Sequence, residues 1–241
     1  MRQLLSRPSL PAATVRRLAK ETTEITNNAD SKSEAKRRYE NARKARWFKP
    51  IIRALQIMSG PGERCMCCSG SESSQIEHFR PKAVFPRLAM TWENFLWACG
   101  SCNRFKGDRF PLDTQSGALL INPIEENVWD FFFIDEFGNL TPRWRNDLND
   151  LDPRAESTQK ILGLDRQALQ ETRQSRLLDL KRRVEDSMKL FQRGDLTREQ
   201  LRERHSEWLK QPFQPDVADY FLNGPGRSES PFKEYFQLIT N

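Results

Sequence analysis

The sequence predicts an α+β protein: a small zinc-pinned strand–loop–strand–helix unit embedded in a mostly α-helical chain. Three observations predict it. All five cysteines fall between Cys65 and Cys102, as two C-x-x-C pairs plus Cys67. Two short segments beside those pairs, Gln75–His78 (ended by Pro81) and Phe95–Ala98, have the length of strands. Most of the remainder places apolar residues at helical spacing among many charges, and a chain with 37% hydrophobic and 30% charged residues suits helices with wide wet faces.

At 241 residues the chain can form one sizeable domain or two small ones. Its net charge of +6 is unevenly placed. Residues 1–60 carry 14 Lys+Arg against 5 Asp+Glu, so +9, and the remaining residues carry 25 against 28, so −3. A basic run of this kind is either a solvated face or a contact for nucleic acid or an acidic partner. Arg2 and Arg7 interrupt any apolar leader, and no stretch reaches the roughly 18–20 apolar residues of a membrane helix. A disulfide framework spreads its cysteines, whereas clustered C-x-x-C pairs favour metal and a cytoplasmic address.

In chain order, Leu10-Pro11 precedes a short helix over 12–20, and Asn27–Ser31 forms a loop ending in an N-cap. Residues 31–58 read as helix, kinked or split at Pro50, with Tyr39, Trp47, Phe48, Ile51, Ile52, Leu55 and Met58 as the buried stripe. Ser59-Gly60-Pro61-Gly62 stops it. After the strands, a helix starting near Cys102 carries Asn103 and Lys106. Trp129–Ile134 and Leu140 suggest a hairpin turned by Asp135–Gly138, and Phe131-Phe132-Phe133 reads as core or partner interface. Residues 157–192 are a long helical region in which Asp165 can cap, and Thr197-x-x-Gln200 is a capping-box pattern opening another helix to about Gln211. The aromatics of the tail imply docking. The resulting division is a basic helical region (1–60), a zinc-pinned core (61–125), and a helical C-terminal region with a small hairpin, suited to partner docking (126–241).

Zinc favours a tetrahedron of thiolates, and two C-x-x-C turns present four sulfurs to one ion. Cys65, Cys68, Cys99 and Cys102 satisfy this, with Cys67 a bystander. A site closed by four thiolates has no open position, so its role is to clamp two distant segments and supply folding energy. Between the pairs lie polar groups suited to phosphodiester hydrolysis. His78 is a candidate general base, Glu77 an oxygen ligand for Mg²⁺ or Mn²⁺, and Asn103 a second oxygen beside a zinc ligand. Asn94, in the long loop, can hold the histidine ring. His205 lacks such a frame and reads as a surface residue.

The order C-x-x-C, Glu77-His78, Asn94, then Cys99-x-x-Cys102-Asn103 resembles the HNH nuclease family with its ββα-metal fold, over roughly residues 62–111. The resemblance implies a divalent ion at the active site beside the structural zinc. It assigns His78 as general base, Glu77 and Asn103 as ligands of the catalytic ion, and Asn94 as the residue that orients the base. The third signature position here is Asn rather than His, a weaker ligand. Ile76-Glu77-His78-Phe79-Arg80-Pro81-Lys82, Trp92-x-Asn94, Cys102-Asn103 and Lys106 further resemble the PtuB-type HNH effectors of Septu and retron-associated antiphage defence. That likeness implies a bacterial nuclease held by a PtuA-type ATPase, with nucleic acid as substrate, DNA foremost, and no membrane. Arg80, Lys82 and Lys106 are then candidate phosphate contacts. Two other readings compete. One is a zinc-ribbon module that binds nucleic acid or protein without cutting, which has no reason to gather Glu77, His78 and Asn103. The other is a restriction- or homing-type HNH enzyme, which requires a DNA-reading domain the sequence does not display.

Overall fold

Three helices precede the cysteine-rich segment in the computed structural model, which describes every residue except Gln3, Leu5, Ser71, Phe213 and Asn241. Helix α1 spans Ala12–Thr26, α2 Ser31–Ala42 and α3 Lys49–Met58. The region expected to kink at Pro50 is two helices. A 3-10 turn at Arg46–Phe48 ends the first, and Pro50 occupies the opening turn of α3, where its missing N–H costs nothing. Asp30 caps α2 by accepting from the Ser33 N–H at 3.1 Å. Of the expected apolar stripe, Tyr39, Phe48, Ile51, Leu55 and Met58 are buried, while Trp47 and Ile52 are half-buried against the core.

The central unit follows the predicted order. Strand β1 (Gln75–His78) pairs antiparallel with β2 (Phe95–Ala98), with Gln75 opposite Ala98 and His78 opposite Phe95. Helix α4 (Gly100–Lys106) begins at once, capped by Cys99, and ends at Gly107, whose φ of +51° suits glycine. The connection between the strands is a loop containing two 3-10 turns, Pro86–Leu88 and Trp92–Asn94.

Beyond it come a hairpin of β3 (Phe132–Ile134) and β4 (Leu140–Pro142) and a two-residue ladder of β5 (Trp144–Arg145) and β6 (Asp150–Leu151). Asp135 Oδ1 accepts from the N–H groups of Phe137 and Asn139, which turns the first hairpin. Helix α5 (Pro153–Leu162) starts at Asp152, whose carboxylate accepts from Arg154 and Ala155 N–H, and stops at Gly163 with φ +56°. Helix α6 (Gln167–Gln192) has Arg166, not Asp165, at its N-cap. Helix α7 (Arg198–Lys210) opens with the predicted Thr197/Gln200 capping box. A short helix α8 (Pro215–Ala218) and α9 (Phe232–Thr240) complete the chain.

The tail aromatics dock on the protein itself. Tyr235 Oη donates to the Leu201 carbonyl at 2.7 Å, and Trp129 Nε1 donates to Asp219 Oδ2 at 2.8 Å. His205 packs between Tyr235 and Phe236 with ring centroids 6.1 and 5.3 Å away, so it is half-buried rather than a surface residue. Two arginines on α6 are buried. Arg173 Nε donates to Asp216 Oδ2 at 2.9 Å, and Arg176 Nη1 donates to Asp179 Oδ2 at 2.8 Å; pairing of this kind is what lets such charges leave water. Side chains from all three sequence regions share one hydrophobic cluster. No helix among the described residues is long and apolar enough to cross a membrane.

Candidate functional site

The four cysteine sulfurs converge as the spacing predicts. The Sγ atoms of Cys65, Cys68, Cys99 and Cys102 lie within 4.8 Å of one another and all four residues are buried. The first pair sits on a turn closed by the Ser69 N–H donating to Cys65 O at 2.8 Å. The second sits at the entry to α4. The Cys99 N–H donates to Cys65 Sγ at 3.3 Å and the Cys102 N–H to Cys99 Sγ at 3.5 Å. Burial pushes the Cys65 thiol up, while hydrogen bonds from Cys102, Cys65 and Cys99 hold the Cys68 thiol well below its ordinary range. A buried cluster of four converging cysteine sulfurs matches the donor set of a structural zinc ion, and these residues fit one. Cys67 is buried beside the four but is not one of them.

Adjacent residues of a strand face opposite ways, and the end of β1 uses this. Glu77 faces α4, where Lys106 Nζ donates to its Oε1 at 2.8 Å. His78 faces α2, where the Tyr39 ring packs edge-on with centroids 4.6 Å apart, and Phe95 closes the other side at 5.3 Å. The imidazole is 4% exposed. Its Nε2 lies 3.0 Å from the Ala89 carbonyl oxygen. A carbonyl can only accept, so Nε2 carries the proton and Nδ1 keeps its lone pair. Burial lowers the His78 pKa to about 3, partly offset by the bond to Ala89, so the ring is neutral at physiological pH. Burial also raises the Glu77 carboxyl, against the pull of Lys106.

His78 and Glu77 open on a groove of about 670 Å³. Asn103 and Lys82 line the same groove, joined by Tyr39 from α2 and by Arg43 and Lys44 from the turn that follows it. The Asn103 amide donates to Gln75 Oε1 at 2.6 Å, which turns its own Oδ1 free for another donor or a cation. A hard divalent ion keeps most of its waters and binds through one or two protein oxygens plus substrate phosphate. Glu77 and Asn103 are the oxygen-bearing residues expected for that role, and both line this groove. The only converging His/Cys/Asp/Glu donors among the described residues are the four cysteines, so such an ion has no preformed all-protein cage here.

Three expected roles differ in the structure. Asn94 does not touch the His78 ring. Its Oδ1 accepts from the Arg80 N–H at 2.7 Å and its Nδ2 donates to the carbonyls of Arg80 and Leu88, at 2.9 and 3.0 Å. It therefore staples the two ends of the inter-strand loop and fixes the peptide next to Ala89, a positioning role one step removed from the ring. Lys106 is not presented to a phosphate. It is 1% exposed, and its ammonium is divided between Glu77 Oε1 and the His78 carbonyl, both at 2.8 Å. Arg80 stacks on Phe110 at 5.1 Å and on Phe85 at 5.7 Å, away from the groove. Lys82 does line the groove, its Nζ 5.3 Å from the Tyr39 ring. Tyr39, Ala89, Gln75, Arg43 and Lys44 were not signalled as site residues. Tyr39 reads as a core residue from its spacing, and a backbone carbonyl leaves no trace in a sequence.

Fold and site together define a helix-rich protein with short sheets, a buried four-cysteine cluster that can hold a metal ion, and a groove lined by a Glu-His pair. No protein-family model matches the chain. The chain is similar to the Septu protein PtuB of Bacillus thuringiensis, at 31% identity over 108 residues. The match takes in 43% of this chain and 36% of that protein, so the chain spans about a third of its relative's length.

Proposed function

We propose that this protein is a metal-dependent HNH-type endonuclease that hydrolyses phosphodiester bonds, DNA foremost, as the nuclease effector of a bacterial antiphage system working in the cytoplasm with a PtuA-type ATPase. The observation that carries the reading is the geometry of His78: its Nε2 is committed to Ala89 O, which leaves Nδ1 as the base, beside Glu77 and Asn103 in one groove. The similarity to Septu protein PtuB supports the defence setting. Residues 61–125 are the nuclease core in this reading, and the helices of 126–241 offer the partner-docking region.

When bound, a Mg²⁺ or Mn²⁺ ion at Glu77 and Asn103 supplies charge stabilisation at the phosphate and at the leaving oxygen. The remaining work belongs to the chain. His78 Nδ1 takes a proton from the attacking water as the water oxygen closes on phosphorus. The Nε2–H bond to Ala89 keeps the ring in the tautomer this requires and stabilises the imidazolium that forms. Tyr39 and Phe95 hold the ring edge-on and exclude competing water. Lys82 offers a cation to a neighbouring phosphate. The four sulfurs, clamped by zinc, fix the start of α4 and hence Asn103 against β1.

A non-cutting zinc-ribbon binder is favoured by one observation: Lys106 already satisfies the Glu77 carboxylate without any metal. Incubating plasmid with Mg²⁺ or Mn²⁺ and the protein, alone and with its ATPase, separates the two. The nuclease reading expects cutting that His78→Ala abolishes. Equal inertness of wild type and variant with every partner supports the binder.

A further inference from the structure

One wall of the groove belongs to α2, outside the cysteine-pinned unit. Tyr39 on that helix packs against His78, and Arg43, one turn further on, shares its face. Arg43 and Lys44 are exposed and line the same groove as His78 and Asn103. The arginines of α2 itself are committed elsewhere. Arg37 is tied to Glu34, and Arg38 to Glu21, Glu24 and Glu34. Arg43 and Lys44 form no ion pair among the described residues. Lys82 reaches the groove from the inter-strand loop, its ammonium over the Tyr39 ring. Glu40 and Asp108 also line the groove, and Glu77 is already neutralised by Lys106, so the free charges are Arg43, Lys44 and Lys82 against Glu40 and Asp108. The excess is positive before any cation binds.

We infer that Arg43 and Lys44 form a phosphate-binding wall at the C-terminal end of α2, holding the backbone of duplex DNA beside the position where His78 acts. The inference rests on the nuclease reading and assigns its substrate grip to the basic N-terminal region, whose net charge is +9. Sequence-independent phosphate contacts of this type weaken with salt, because each releases condensed counterions.

The test uses the full-length protein with His78→Ala, which blocks cutting, and a fluorescent DNA duplex titrated at several salt concentrations. Arg43→Gln/Lys44→Gln is compared with Arg16→Gln/Lys20→Gln, an exposed α1 pair outside the groove that removes the same charge. The α2 double variant is expected to lose about tenfold in affinity and to flatten the log–log salt slope by about 2, while the α1 pair changes little. Equal losses from both pairs, or none from the α2 pair, overturn the wall while leaving plasmid cutting by wild type, and so the nuclease reading, intact. A wild-type protein that neither binds nor cuts DNA overturns both.

Discussion

The Nε2 of His78 and the carbonyl oxygen of Ala89 lie 3.0 Å apart across the inter-strand loop. This single bond fixes which ring nitrogen is free, and it depends on a loop that the strands alone do not hold. Asn94 holds it: the amide bonds Arg80 at one end of the loop and Leu88, the neighbour of Ala89, near the other.

Asn94→Ala should therefore damage both the fold and the ring's placement. It removes the partner of the part-buried Arg80 N–H and carbonyl, at about 1–3 kcal/mol each, and leaves the Leu88 carbonyl with only the Thr91 N–H. Thermal unfolding should fall by about 2–4 °C for every kcal/mol lost. Cutting should drop below what instability explains when both proteins are assayed well under their midpoints. An Asn94→Ala protein with the wild-type midpoint and rate removes the positioning role.

Lys106→Met should make stability depend on pH in a set direction. The Glu77 carboxyl is already raised by burial, and losing Lys106 removes its largest opposing influence. A carboxyl with a raised folded pKa binds its proton more tightly in the fold than in the unfolded chain. The resulting stability is present at low pH and is lost as pH rises from the unfolded value through the folded one. Relative to wild type at the same pH, the variant should be more destabilised at pH 8 than at pH 5, by denaturant midpoint. An equal gap at both values contradicts the buried pairing.

Cys99→Ser should release zinc and unfold the central unit, because the Cys99 sulfur belongs to the four-cysteine cluster proposed to hold the ion and also caps α4. Metal analysis of the purified variant should find substoichiometric zinc, and circular dichroism a loss of cooperative melting. A soluble, zinc-free protein that still cuts DNA refutes the clamp.

Much of the central unit was legible because its chemistry is local. The C-x-x-C spacings placed four sulfurs, and the short segments Gln75–His78 and Phe95–Ala98 beside them match both strands to the residue. The capping box at Thr197 and the turn at Asp135 are equally local. What stayed hidden depends on packing between distant segments. Lys106 looked like a phosphate contact because lysines are usually exposed, yet α4 turns it inward onto Glu77 and the His78 carbonyl. Arg173 is concealed in the core for the same reason, its partner Asp216 lying 43 residues away. The α2 wall of the groove exists only once that helix has docked on β1.

The most direct measurement is single-turnover cleavage of DNA by His78→Gly, with and without added imidazole, in Mn²⁺. If His78 is the base, removing it should slow cleavage by about 10²–10⁴-fold, and free imidazole should restore part of the rate while zinc content stays at the wild-type level. A His78→Gly protein that cuts at the wild-type rate without imidazole would contradict the account.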